Sequence, residues 1–108
     1  MVEGLWTIEF ASPTGSGTGV MVLKDKRLLG GDEGYYYSGE YTVDDHHISG
    51  KAEIVRFDRN YLSVFGDMDS FTVDLDGVVS EDLIEGVVHL SRQPDLRAQI
   101  RCKKKTEL

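Results

Sequence analysis

The chain has 108 residues, of which 40% are hydrophobic and 29% charged, a composition that is typical of folded globular proteins and argues against disorder. Its length corresponds to one domain, residues 1–108. Nineteen acidic residues against 12 lysines and arginines give a net charge of −7, so phosphate backbones are repelled and direct nucleic-acid binding is not expected.

Apolar and polar residues alternate with a period of two through most of the chain, which predicts β-strands that each bury one face. Trp6, Ile8 and Phe10 share one face of the first strand, and Val20 and Val22 are expected to point inward in the second. Short turns rich in Gly, Asp and Pro separate the strands. The predicted strands cover residues 4–11, 19–24, 27–31, 35–43, 47–57, 71–79, 83–91 and 96–104.

Residues 58–70 break the alternation and predict either an irregular crossing or a short helical turn. No segment sustains a helical period, so the fold class is all-β. Neighbouring strands joined by short turns favour an antiparallel up-and-down order. Closing eight such strands into a barrel removes exposed edges, and a two-sheet sandwich is the alternative.

Residues 28–41, LLGGDEGYYYSGEY, concentrate tyrosines and glycines. Tyr36 is expected on the outer face, whereas the tyrosines on either side of it point into the barrel. A stacking platform for nucleic acid would need a cationic groove, and the neighbouring charges are acidic. An eight-stranded barrel either fills with side chains or holds one small ligand. The predicted lumen residues are Trp6, Phe10, Tyr35, Tyr37, Tyr41 and Phe71.

The residues that could carry chemistry do not form a recognisable site. His46 and His47 follow Asp44 and Asp45, but adjacent side chains of a strand point to opposite faces, so we interpret this stretch as a solvated loop. The glycines of residues 15–19 precede a strand, whereas a phosphate loop precedes a helix. No nucleophile, base and acid can be grouped by spacing. We therefore expect no enzymatic activity, no cofactor and no metal.

Several apolar residues occupy outward positions of the predicted strands. If they gather on neighbouring strands, they form a surface for a second copy or another partner. These residues are Leu5, Met21, Leu23, Tyr36, Val55, Phe57 and Val87.

The remaining features concern the compartment. Cys102 is the single cysteine, so an internal disulfide is impossible. Neither a secretion signal nor an apolar run of roughly 20 residues occurs, so we expect a cytoplasmic protein without membrane association.

The basic run Arg101 to Lys105 is interpreted as a solvated tail.

The chain resembles the GrlR family, small bacterial proteins that negatively regulate type III secretion gene expression. The likeness lies in GLWTIEF (4–10), GTGVMVLKDKRLLGGDEGYYYSGEY (17–41) and the region Tyr61 to Val64. Its most specific part is the unit from Asp25 to Asp32 followed by Tyr37–Ser38–Gly39.

This resemblance implies a lipocalin-like eight-stranded barrel that forms homodimers and sequesters a transcriptional activator protein. The exposed acidic loop of the family corresponds by sequence order to Asp44, Asp45, His46 and His47, which are therefore the candidate partner-binding residues. Two of its four acidic positions are kept, and the histidines reverse the charge there when they are protonated. The alternative function is that of a carrier for a small apolar ligand in the barrel lumen.

Overall fold

The computed structural model describes residues 2–108, which form an eight-stranded antiparallel up-and-down barrel. Each strand pairs with the next, and the last pairs with the first, so the barrel is closed. The described residues form no helix, and so they contain no helix that is long and apolar enough to cross a membrane. The predicted barrel is confirmed and the sandwich excluded. The strands are β1 (Gly4–Ser12), β2 (Gly15–Lys24), β3 (Arg27–Gly31), β4 (Tyr35–Asp44), β5 (His47–Arg56), β6 (Ser70–Ser80), β7 (Leu83–Leu90) and β8 (Arg97–Glu107).

The up-and-down order sends alternate connections to opposite ends of the barrel. The β2–β3, β4–β5 and β6–β7 connections are two-residue turns at one end, here called the tight-turn end. Asp25, Lys26, Asp45 and Glu81 have positive φ there, as the turns that match the twist of a hairpin require. The other end, here called the mouth, carries the two-residue β1–β2 turn and three longer connections, of which the longest is residues 57–69 between β5 and β6.

The packed core occupies the half of the barrel next to the tight-turn end. Trp6, Leu23, Ile48, Ile84 and Cys102 are the largest fully buried side chains, and each lies where its strand approaches that end. Inward residues nearer the mouth include buried ones, such as Tyr35 and Ala98, and partly buried ones, such as Phe10 and Tyr37, that pack against this cluster. The barrel is therefore solid at one end and more open at the other.

The register of β2 differs from the prediction. Met21 and Leu23 point into the core, and Leu23 is 0% exposed, whereas Val20 is 46% exposed on the outer face. Residues 20–23 are apolar at every position, so alternation alone cannot choose a face. Pairing decides, because Met21 lies opposite the buried Trp6 and residues opposite each other share a face.

The basic run near the C-terminus belongs to β8 and is not a solvated tail. Lys104 lies opposite Trp6 after a register shift between Leu5 and Trp6, and its side chain is 5% exposed. Its Nζ lies 5.6 Å from the centroid of the Trp6 ring and 2.9 Å from Glu107 Oε2. The aliphatic stem therefore covers the core while the ammonium reaches an acid at the surface.

Candidate functional site

The mouth half of the barrel contains a cavity of about 170 Å³. Its lining includes Met21, Ala52 and Ala98, and the two alanines leave space that larger inward side chains would fill. The wall is mainly apolar and rich in aromatic rings. The aromatic residues that line it are Phe10, Tyr35, Tyr37, Tyr61, Phe65 and Phe71.

The structure divides the six predicted lumen residues between this cavity and the core beneath it. Phe10, Tyr35, Tyr37 and Phe71 line the cavity. Trp6 and Tyr41 do not, because both lie in the packed half, where Trp6 Nε1 donates to Val2 O at 2.8 Å. Alternation indicates which side chains point inward, but it does not indicate their depth along the barrel axis.

Residues 57–69, here called the mouth segment, cross the open end and form an irregular chain with one antiparallel bridge between Ser63 and Gly66. Of the two predicted alternatives, the irregular crossing is correct. The segment places Tyr61 to Phe65 over the cavity, where they complete its lining. Sequence reasoning missed this role, although a break in alternation that still carries large apolar residues is the signal for it.

Side chains from the barrel wall fix the mouth segment in place. Ser12 Oγ and Thr14 Oγ1 donate to Val64 O at 2.9 and 2.7 Å, and the Tyr35 hydroxyl donates to Met68 O at 2.7 Å. The Phe65 ring stands edge-on to the ring of a cavity-wall phenylalanine at 5.8 Å between centroids. The segment is therefore attached to β1, the β1–β2 turn and β4.

Arg56, the last residue of β5, binds the mouth segment on both sides of the bridge between Ser63 and Gly66. Its side chain is 7% exposed and donates to Asp67 Oδ1 at 2.8 Å, to Asp69 Oδ1 at 2.6 Å and to Tyr61 O at 3.0 Å. The guanidinium also lies 5.9 Å from the centroid of the Tyr35 ring. Hydrogen bonds with Asp69 and Asp67 raise the pKa of Arg56, and Arg56 in turn lowers the pKa of Asp69.

An acidic turn forms part of the cavity rim. Asp32 Oδ1 accepts hydrogen bonds from the backbone N–H groups of Gly34 and Tyr35, both at 2.9 Å, and Asp32 Oδ2 accepts one from the Tyr37 hydroxyl. Burial and the neighbouring Asp32 raise the pKa of Tyr37 well above its usual range, so the phenol stays protonated. Glu33, which is exposed, also lines the rim.

The predicted partner-binding residues lie at the opposite end of the barrel. Asp44 and His47 face each other as the last pair of β4 and β5, and Asp45 and His46 form the turn between them. The side chains of Asp45 and His46 are 86% and 79% exposed, whereas His47 pairs with Asp76 on the next strand. Within residues 2–108, no three side chains of the metal-binding types come together.

The buried cysteine contributes to the cavity wall. Burial raises the pKa of the Cys102 thiol to about 12, so it is protonated at neutral pH. A protonated thiol is a poor nucleophile. His89 lies on the outer face of β7, where its Nε2 is 3.4 Å from Asp74 Oδ2. These two residues therefore do not form a catalytic pair.

Apolar side chains gather on the outer face of β1 to β5 and form what is here called the outer patch. Pairing places Leu5, Val22 and Leu29 in one cross-strand row and Val20, Gly31, Tyr36 and Val55 in the next. Tyr36 is 47% exposed, and no charge interrupts either row before Glu53. The side chains of the outer patch are those of Leu5, Val20, Val22, Leu29, Tyr36 and Val55.

The outer patch differs from the predicted outward set. Leu5, Tyr36 and Val55 belong to it, but Met21 and Leu23 lie in the core for the reason given above. Phe57 begins the mouth segment and Val87 lies on β7, away from these strands. The predicted outward set did not include Val20, Val22 and Leu29, and the two valines were expected to point inward.

Comparison with known proteins gives no assignment. No protein-family model matches the chain, and no curated protein matches it. The function is therefore argued from the cavity, its rim, the outer patch and the exposed β4–β5 turn.

Proposed function

We propose that this protein is a non-enzymatic regulatory binding protein that sequesters a transcriptional activator, as the family it resembles does. The outer patch is the observation that carries this proposal, because the family resemblance implies a homodimer and the patch offers a surface for one. It combines apolar side chains on neighbouring strands with a flanking row of charges that includes Lys24, Arg27 and Glu40. An apolar centre with a polar rim is the usual composition of a protein interface.

In this proposal the outer patch pairs two copies of the chain, and the β4–β5 turns contact the activator. A homodimer satisfies the patch with the same surface on each copy. Among residues 2–108, no lysine or arginine forms an ion pair with Asp45, whose carboxylate lies 3.7 Å from His46 Nε2, and the chain as a whole is acidic. An acidic surface attracts the basic face with which an activator contacts DNA, so its capture would compete with DNA binding.

Dimerisation is tested by sedimentation equilibrium on the wild type and on Tyr36→Lys. The lysine places a charge at the centre of the outer patch, so we expect the variant to be monomeric. Val78→Lys is the matched control, because Val78 is exposed on β6 outside the patch and its replacement should leave the dimer intact. A monomeric wild type, or a Tyr36→Lys dimer as stable as the wild type, would exclude the patch as the dimer surface.

Partner binding is tested with the double variant Asp44→Lys/Asp45→Lys. The captured protein is first identified by affinity purification from the host, and the purified pair is then assayed for DNA binding with and without this chain. We expect the wild type to displace the activator from DNA and the variant to fail. Equal displacement by both would remove the turn from the mechanism.

A second candidate function is supported by the cavity: the protein carries a small apolar ligand. Apolar pockets in proteins are the usual sites for small molecules, and this cavity combines aromatic walls with a few polar rim groups. Native mass spectrometry of the protein purified from its own host tests this function. Retention of one small molecule that Ala98→Leu eliminates would support it, and a bare chain that accepts no apolar probe would exclude it.

A further inference from the structure

The charge distribution around the cavity restricts the ligands that it can accept. Asp32 and Glu33 line the rim, and neither forms an ion pair with any of residues 2–108. The hydrogen-bond donors to Asp32 are two backbone N–H groups and a phenol, all of them neutral. The negative charge at the rim is therefore not cancelled by a neighbouring cation.

The cations near the cavity are already engaged with other acids. Lys51 contributes to the lining, but its Nζ lies 3.1 Å from Asp74 Oδ1 on the outer face. Arg56 is shared between Asp67 and Asp69. A carboxylate ligand would therefore meet two like charges at the rim and, among the lining residues that the structure describes, no lysine or arginine without an acid partner, whereas an ammonium ligand would meet two opposite charges.

The interior of the cavity favours the same class of ligand. Aromatic ring faces attract cations, and aromatic side chains surround the space on several sides. About 150 Å³ of apolar space accommodates benzene. A cavity of about 170 Å³ therefore accepts a body about the size of one aromatic ring and excludes a long acyl chain.

We propose that the cavity binds a compact hydrophobic amine, with the apolar body among the aromatic side chains and the ammonium group at Asp32 and Glu33. This assignment rests on the ligand-carrier function proposed above and specifies the chemistry of its ligand. It excludes free fatty acids, which match neither the length of the cavity nor the charge of its rim.

Three probes with the same phenyl group and nearly the same size test the assignment: 2-phenylethylamine, 2-phenylethanol and phenylacetate. Binding is followed by calorimetry and by the NMR signals of the Ala52 and Ala98 methyl groups, which line the cavity. We expect the amine to bind about tenfold more tightly than phenylacetate, with the alcohol in between. Added salt should weaken amine binding and leave alcohol binding unchanged, because only the former depends on charge.

The variant Glu33→Gln removes one rim charge from an exposed position and should lower the affinity for the amine about threefold. Glu53→Gln is the matched control, since Glu53 is an exposed carboxylate on β5 that does not line the cavity. Equal binding of the amine and phenylacetate would overturn the ligand class while leaving the carrier function in place. Failure of all three probes to bind would overturn the carrier function and the ligand class together.

Discussion

Ala98→Leu should stabilise the fold while it abolishes ligand binding. Ala98 is 1% exposed and lines the cavity, so the added carbons of leucine enter space that is already surrounded by side chains. Leucine has three more carbon atoms than alanine, and at about 0.8 kcal/mol per buried CH₂ their burial contributes about 2.4 kcal/mol. Ordering the leucine side chain costs about 0.5 to 1 kcal/mol. The net gain in the free energy of unfolding is therefore about 1.5 kcal/mol.

The assay is urea unfolding together with a thermal scan, in which this gain corresponds to a Tm increase of about 5 to 10 °C. Ala11→Leu makes the same chemical change on the exposed outer face of β1 and should shift the stability by less than about 0.5 kcal/mol. Overpacking of a filled core costs about 1 to 3 kcal/mol. A destabilised Ala98→Leu variant would therefore show that the space is not available and would refute the cavity argument.

The other predictions concern the register, the mouth segment and the response to acid. In urea titrations, Leu23→Ala should lower the free energy of unfolding by about 2 to 5 kcal/mol and Val20→Ala by less than about 1 kcal/mol. A larger loss for Val20→Ala than for Leu23→Ala would mean that the inward face of β2 is assigned wrongly. A Cβ at Gly34 would lie 2.5 Å from a mouth-segment side chain, so Gly34→Val should displace the segment and speed its proteolytic cleavage, whereas unchanged cleavage would contradict this contact. Hydrogen bonds from Arg56 hold the pKa of Asp69 below the ordinary value of an aspartate. Because the folded pKa is lowered, the pairing stabilises the fold above pH 3.8, and this stabilisation is lost as the pH falls through the folded pKa. In urea titrations the free energy of unfolding of Asp69→Asn should therefore fall less on acidification than that of the wild type. An equal fall in both proteins would contradict the pairing.

The cavity and the proposed carrier function have a common physical basis. Filling a barrel of this size with side chains would add stability, as the expected effect of Ala98→Leu illustrates. Two alanines at inward positions instead leave a mainly apolar cavity of about 170 Å³ beneath the mouth segment. Stability given up at a binding site is common in proteins, because a site needs room that a packed core does not leave.

The sequence by itself determined the number of strands and indicated their up-and-down order, whereas the pairing of β1 with β8 in the structure decided between a closed barrel and a two-sheet sandwich. Period-two alternation marks a strand whatever its neighbours are, and short turns make neighbours in sequence pair in space. The same alternation correctly directed Tyr35, Tyr37 and Tyr41 inward and Tyr36 outward. Alternation is local, so the residues of a single strand suffice to predict the strand and, where only one face is apolar, its inward face.

Only the tertiary structure decided the face of β2, the depth of each inward residue and the role of residues 57–69. Residues 20–23 are apolar on both faces, so the choice depended on pairing with Trp6. The separation of a packed half from a cavity depends on which side chains meet across the barrel. The anchoring of the mouth segment by Arg56 joins residues from two connected elements. Periodicity within one segment reports which of its side chains share a face. It carries no information about which distant segment those side chains contact, so such contacts appear only in the tertiary structure.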